Sequence, residues 1–222
     1  MERAKALFRA IGERAAIFNS QSTGNFGDLF GALQTALLTE CIMAAARIFD
    51  PPNKRYPTRS MRYVLELIKE QKEQLPVVQE PHQLGLTLEA GGMADLKPLI
   101  EKGGAAFAEG LADYFLAIIS EPNNVAALES LKTLRDKSLA HNEHVETVEG
   151  PTWRALTELI DIAKKLVGIL GWAYLGTAYE IDGDFILSGD ALRSSYALER
   201  LSEKLQESPG VSVASQIVAP DT

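Results

Sequence analysis

An all-α fold follows from three features of the chain. Apolar residues recur at steps of three and four in segment after segment, the spacing of one helix face. Capping residues, prolines and glycines punctuate those stripes. Hydrophobic residues fill 46% of 222 positions, enough to bury a sizeable core. There is no internal repeat and no second compositional regime. The expected organisation is one domain over residues 1–208 and a small, polar, disordered tail over 209–222.

Taken in order, Glu2 to Phe18 carries Leu7, Ile11, Ala15 and Phe18 at helical spacing and ends in polar Asn19-Ser20-Gln21-Ser22. A second helix is expected from about Phe26 to Phe49, capped by Thr23 or Asn25. Its stripe runs through Phe26, Leu29, Phe30, Leu33, Leu37, Cys41 and Ala44 or Ala45. It is mostly uncharged until Arg47, which predicts a place in the bundle centre. Asp50-Pro51-Pro52 stops it, because a residue before proline is pushed out of the helical region. Arg47 and Asp50, three apart, are expected to pair with each other. Thr58 is the expected cap of a third helix reaching about Leu75, with Met61, Val64 or Leu65, and Ile68 inward. The Lys69-Glu70-Gln71-Lys72-Glu73 run reads as its solvated face.

Pro76 and Pro81 bracket a break. The glycine-rich segment 85–110 then reads as helical pieces interrupted by turns, followed by a firmer helix through Leu111, Phe115, Ile118 and Ile119. Its glycines match no phosphate loop, since no Gly-Lys-Ser/Thr follows them. Pro122-Asn123-Asn124 opens a helix to about Val145, and Gly150-Pro151-Thr152 separates it from a long helix over Trp153 to Tyr179. Trp153 and Trp172 are expected to pack in the core. A polar turn at Asp182-Gly183-Asp184, a short Phe185-Ile186-Leu187 and a final helix from Asp190 to Gln206 complete the fold.

The net charge of −8 argues against coating nucleic acid by bulk attraction, though it leaves room for a small basic pocket. The one cysteine, Cys41, cannot form an internal disulfide and is expected to be a buried small apolar group. Residues 1–6 lack a secretory apolar core. Leu166 to Tyr179, read as the longest apolar stretch, is too short to span a bilayer. A soluble, cytoplasmic protein with no membrane partner and no cofactor is the expectation.

Arg135-Asp136-Lys137-Ser138-Leu139-Ala140-His141 has the densest chemistry in the chain. It combines a permanent cation, a carboxylate and a group titrating near neutrality, which suits phosphodiester chemistry. The apolar stripe Ala127, Leu131, Leu134, Ser138, His141, Val145 puts His141 where a leucine would be ordinary. On an ideal α-helix Arg135 and His141 lie about 9 Å apart along the axis and about 120° apart around it, so they meet only over a phosphate-sized gap. Two copies of this helix across a two-fold axis would bring both pairs into one cleft. The same residues also fit a plain structural account, with Arg135 and Asp136 a solvated pair and His141 bonded to a carbonyl. His141 and His144 share a helix face, but zinc would need further ligands, for which only His82 or a distant carboxylate is available.

Arg135, Asp136 and His141 match the hallmark of the HEPN superfamily: an Arg, a polar residue, and a His four to six positions after the Arg. Leu134 to His141, together with Ala45-Ala46-Arg47-Ile48-Phe49-Asp50, resembles the AbiU-type abortive-infection branch. The resemblance implies an up-and-down helical bundle with additional helices, dimeric, with the motif helices meeting at a composite site. It implies a metal-independent RNA endonuclease of a phage-defence or toxin–antitoxin system, with RNA as substrate and an antitoxin protein as a further partner. Arg135 would bind phosphate, His141 would act as general acid or base, and Asp136 would support the site. A carboxylate at 136 also repels phosphate. Some relatives are non-catalytic binding or regulatory modules, so a non-catalytic helical dimer is the competing expectation.

Overall fold

The structure, a computed structural model, describes residues 1–20, 26–52, 55, 59–140, 150–181 and 184–207. Helices dominate it: α1 (Glu2–Glu13), α2 (Ala15–Phe18), α3 (Gly27–Phe49), α4 (Met61–Glu70), α5 (Pro81–Ala90), α6 (Lys97–Glu101), α7 (Gly104–Ile119), α8 (Pro122–Leu134), α9 (Trp153–Leu170) and α10 (Ile186–Glu207). The strand pairing among the described residues is one two-residue antiparallel pair, β1 (Glu180–Ile181) and β2 (Asp184–Phe185), in the register Glu180 opposite Phe185. The fold is all-α, as the periodicities predict. The expected tail, residues 209–222, lies outside the described residues.

The chain divides into two compact units: Met1 with Thr39–Asp190, and Glu2–Leu38 with the chain from Ala191 onward. In the second unit Phe18 stacks on Phe30 with ring centroids 3.8 Å apart, and the Gln34 amide donates to the Phe8 carbonyl. Arg14 pairs there with Glu199 at 3.4 Å. The first unit holds the main core and everything that follows concerning the site.

That core is built around α7. Its Phe107, Ala108, Leu111, Ala112, Phe115 and Ile119 are essentially sealed from solvent. A helix this apolar around most of its circumference is stable only when covered. Its acidic residues sit where lysines reach them: Lys69 Nζ lies 2.6 Å from Asp113, and Lys72 Nζ 2.6 Å from Glu109. Lys69 thus links the end of α4 to α7, and Lys72, just past that helix, adds a second link, both through partly exposed side chains of the run read as a solvated face. Leu65, Leu84, Leu88, Leu159 and Ile169 close around the same helix.

Several expectations are corrected. The bundle centre is α7, not α3: only the C-terminal turns of α3 are buried, through Cys41, Ile42, Ala45, Ala46 and Phe49. Phe26, Leu29 and Leu33 of the expected inner stripe are exposed. By length and composition α3 is apolar enough to cross a bilayer, so the longest apolar segment is not Leu166–Tyr179. The first helix breaks at Arg14 into α1 and α2. Ser60, not Thr58, caps α4, its hydroxyl accepting from the Tyr63 amide. Trp153 sits at a partly exposed first turn of α9, and α10 starts at Ile186, four residues before the expected Asp190.

The glycine-rich segment resolves into α5, α6 and the start of α7. Gly103 has φ +111°, a conformation that a side chain would strain, and it turns the chain from α6 into α7. Gly110 lets α6 approach closely: a Cβ there would lie 2.1 Å from Leu99 Cδ1. These glycines serve helix packing.

Candidate functional site

The site begins with Pro122 in the first turn of α8, where a missing N–H costs nothing. Ala127 and Leu131 anchor the helix in the core, as the stripe predicts, and Leu134 is half-buried. A Cβ on Gly150 would fall 2.7 Å from Leu134 Cδ2, so the chain entering α9 lies directly over that leucine.

After Leu134 the α-helix gives way to a π-helical stretch over Arg135–Ala140. Its i→i+5 bonding makes wider turns, and such stretches occur often at functional sites. The α-helical azimuths that separate Arg135 from His141 by about 120° therefore do not describe this segment. The helix expected to continue in α form to Val145 ends as such at Leu134. His141, His144 and Val145 lie outside the described residues.

Arg135 is where the two stretches that resemble AbiU-type proteins meet. Its side chain is 18% exposed, and Nη1 donates to Asp50, the last residue of the earlier stretch, 85 positions away. Nε donates to Asp136 Oδ1 at 2.7 Å. Asp136, then Asp50, stabilise the guanidinium and hold its pKa above the ordinary arginine value. Asp50 thus pairs with Arg135 and not with Arg47, which stays exposed. Three residues along a helix end is a weak, solvated arrangement, whereas the Asp50–Arg135 link is largely shielded.

Arg135 and Asp50 stand on the rim of a half-open cavity of about 230 Å³. Ala46 and Phe49 of α3 and Val125, Leu128 and Leu131 of α8 form its apolar wall. Arg62 of α4, with Glu129 and Lys132 of α8, completes the polar rim. Neither Arg62 nor Lys132 has an ion-pair partner among the described residues, while Arg135 has two. Asp50, Arg62, Glu129 and Lys132 are the residues that reasoning from sequence missed. Only Asp50 left a signal, by closing the segment Ala45–Asp50.

Among the described residues, no group of three or more His, Cys, Asp or Glu could hold a metal ion. His82 is exposed near the start of α5, and His141 and His144 are outside the description. Chemically, the described part of the site can grip an anion and enclose a small apolar group beside it.

No curated protein and no solved structure matches the chain. One family model does, that of HEPN AbiU2, over residues 2–193. The match takes in both stretches that converge on Arg135, and the all-α architecture agrees with it. The chain belongs to the AbiU2 family of HEPN proteins.

Proposed function

We propose that the protein is a metal-independent RNA endonuclease of a phage-defence or toxin–antitoxin system, acting in the cytoplasm as a homodimer. An antitoxin protein would be its further partner. Arg135 binds the scissile phosphate and His141 moves the proton as general acid or base. The observation that carries this reading is Arg135 itself, a shielded guanidinium on a π-helical turn at the rim of a half-open cavity.

A guanidinium offers five N–H donors. The two bonds to Asp50 and Asp136 fix the plane of the group and leave donors for a phosphate. Charge building on the phosphate in the transition state then meets an oriented cation, which needs no reorganisation at the moment of reaction. His141 takes the proton of the ribose 2′-hydroxyl or gives one to the leaving oxygen. DNA lacks that hydroxyl and would not be cut by this route.

A second reading has an observation in its favour. Two carboxylates on Arg135 are what a structural ion pair needs, and they neutralise the charge a phosphate would seek. In this reading the protein is a non-catalytic helical dimer that binds or regulates.

RNA cleavage and thermal unfolding of Arg135→Ala and His141→Ala separate the two. The nuclease reading expects each variant to lose on the order of a hundredfold or more in rate. The double variant should be scarcely worse than either single one, because both act on one transition state. A melting collapse, with no cleavage by the wild type over a broad RNA panel, would favour the structural reading. Sedimentation at micromolar concentration tests the dimer, and a monomer would remove the composite cleft.

A further inference from the structure

We propose that the cavity beside Arg135 is a base-binding subsite for single-stranded RNA, one nucleotide from the phosphate Arg135 engages, and that it favours adenine and cytosine over uracil. This rests on Arg135 working at an RNA phosphate. The size of the cavity comes first. At about 230 Å³ it is several times the ~30 Å³ share of a water, yet below the ~300 Å³ at which pockets begin to hold whole drug-sized ligands. One heteroaromatic base suits that space.

Its chemistry is the second argument. Phe49, Val125 and Leu128 give the apolar wall against which a base sheds water. With Asp50 committed to Arg135, the rim holds two cations, Arg62 and Lys132, against the single carboxylate of Glu129. Those cations suit the phosphate that arrives with the base.

The surroundings supply a third. Among the described residues between 47 and 62 the sequence carries Arg47, Arg59 and Arg62 against one carboxylate, Asp50, in a chain whose net charge is −8. Such a local reversal of sign draws a polyanion to one place on an otherwise repelling molecule. A duplex keeps its bases stacked, so only single-stranded RNA can turn one into the cavity. Glu129 then decides between bases: its carboxylate accepts from the N4 amine of cytosine or the N6 amine of adenine, where uracil presents the O4 carbonyl oxygen.

The test is fluorescence anisotropy on end-labelled RNA pentamers: oligo-A, oligo-C, oligo-U, and oligo-A with one abasic nucleotide at each position in turn. Wild type is expected to bind oligo-A and oligo-C about tenfold more tightly than oligo-U, and to lose about tenfold when one particular base is removed. Glu129→Ala should level the preference, and Val125→Trp, filling the cavity, should abolish the abasic effect. Arg62→Ala with Lys132→Ala should weaken all pentamers alike. Equal affinity of wild type for every pentamer, or no binding at all, overturns the proposal without reliance on any variant. Cleavage is assayed separately. Base preference without cleavage would leave the subsite standing and remove the endonuclease. Cleavage that depends on Arg135 but ignores the bases would do the reverse.

Discussion

Arg135 bridges two carboxylates, Asp50 and Asp136, and this small network joins the end of α3 to the turn after α8. Nothing local in the sequence announces that Asp50 holds Arg135, because the two lie 85 positions apart. Sequence spacing favours Arg47 for Asp50, and only the joint resemblance of two segments hints at the true pairing. With side chains 18% and 22% exposed, this pair is shielded enough to matter. Asp50→Ala is expected to cost on the order of 2 kcal/mol, and Asp136→Ala, whose carboxylate is 40% exposed, under about 1 kcal/mol. Chemical denaturation of the two variants side by side checks the order. Tyr174 gives a pH prediction. Burial pushes its phenol up to about 12, and its hydroxyl has no hydrogen-bond partner among the described residues. The folded state keeps this proton after the unfolded chain, titrating near 10, has released it. Stability is therefore full below pH 10 and falls as pH rises from about 10 to 12. Tyr174→Phe should remove that part of the alkaline loss in melts across this range.

Helix periodicity made much of the element scale legible. Met61, Leu65 and Ile68 of α4 are buried as their spacing requires, and Ile11, Phe18 and Leu131 likewise. Periodicity could not rank one apolar helix against another. Since α3 and α7 both lack charges on most faces, the choice of centre depended on tertiary contacts, and the glycines before α7 hid the stronger candidate. Nor does a residue pattern declare a π-helical turn, which needs backbone geometry to be seen. Two glycines test what elements require. At Gly171, beginning the π-helical turn after α9, a Cβ would sit 2.5 Å from the Thr177 carbonyl oxygen, so Gly171→Ala must shift backbone. A loss of about 1–3 kcal/mol is expected. At Gly31, exposed in α3, a Cβ meets nothing within 4 Å, and Gly31→Ala should stabilise by about 0.5–1 kcal/mol through helix propensity. Opposite shifts in melting temperature for the two alanines check both assignments.

For the whole molecule, net charge and local charge point in opposite directions. Binding to single-stranded RNA through Arg62, Lys132 and Arg135 should release few counterions, so log K against log salt is expected to fall with a slope of about −2. Anisotropy titrations across salt concentrations measure it; a slope several times steeper would mean contacts spread well beyond the cavity rim. The long reach between Asp50 and Arg135 has one more consequence, in time. A ribosome adding about 5–20 residues per second delivers Arg135 on the order of ten seconds after Asp50. Until then the α3 side of the cavity has left the exit tunnel without its α8 side. A chain still being made has the first half of the pocket and lacks the guanidinium on its rim, so whatever this cavity can bind must wait for translation to pass this point.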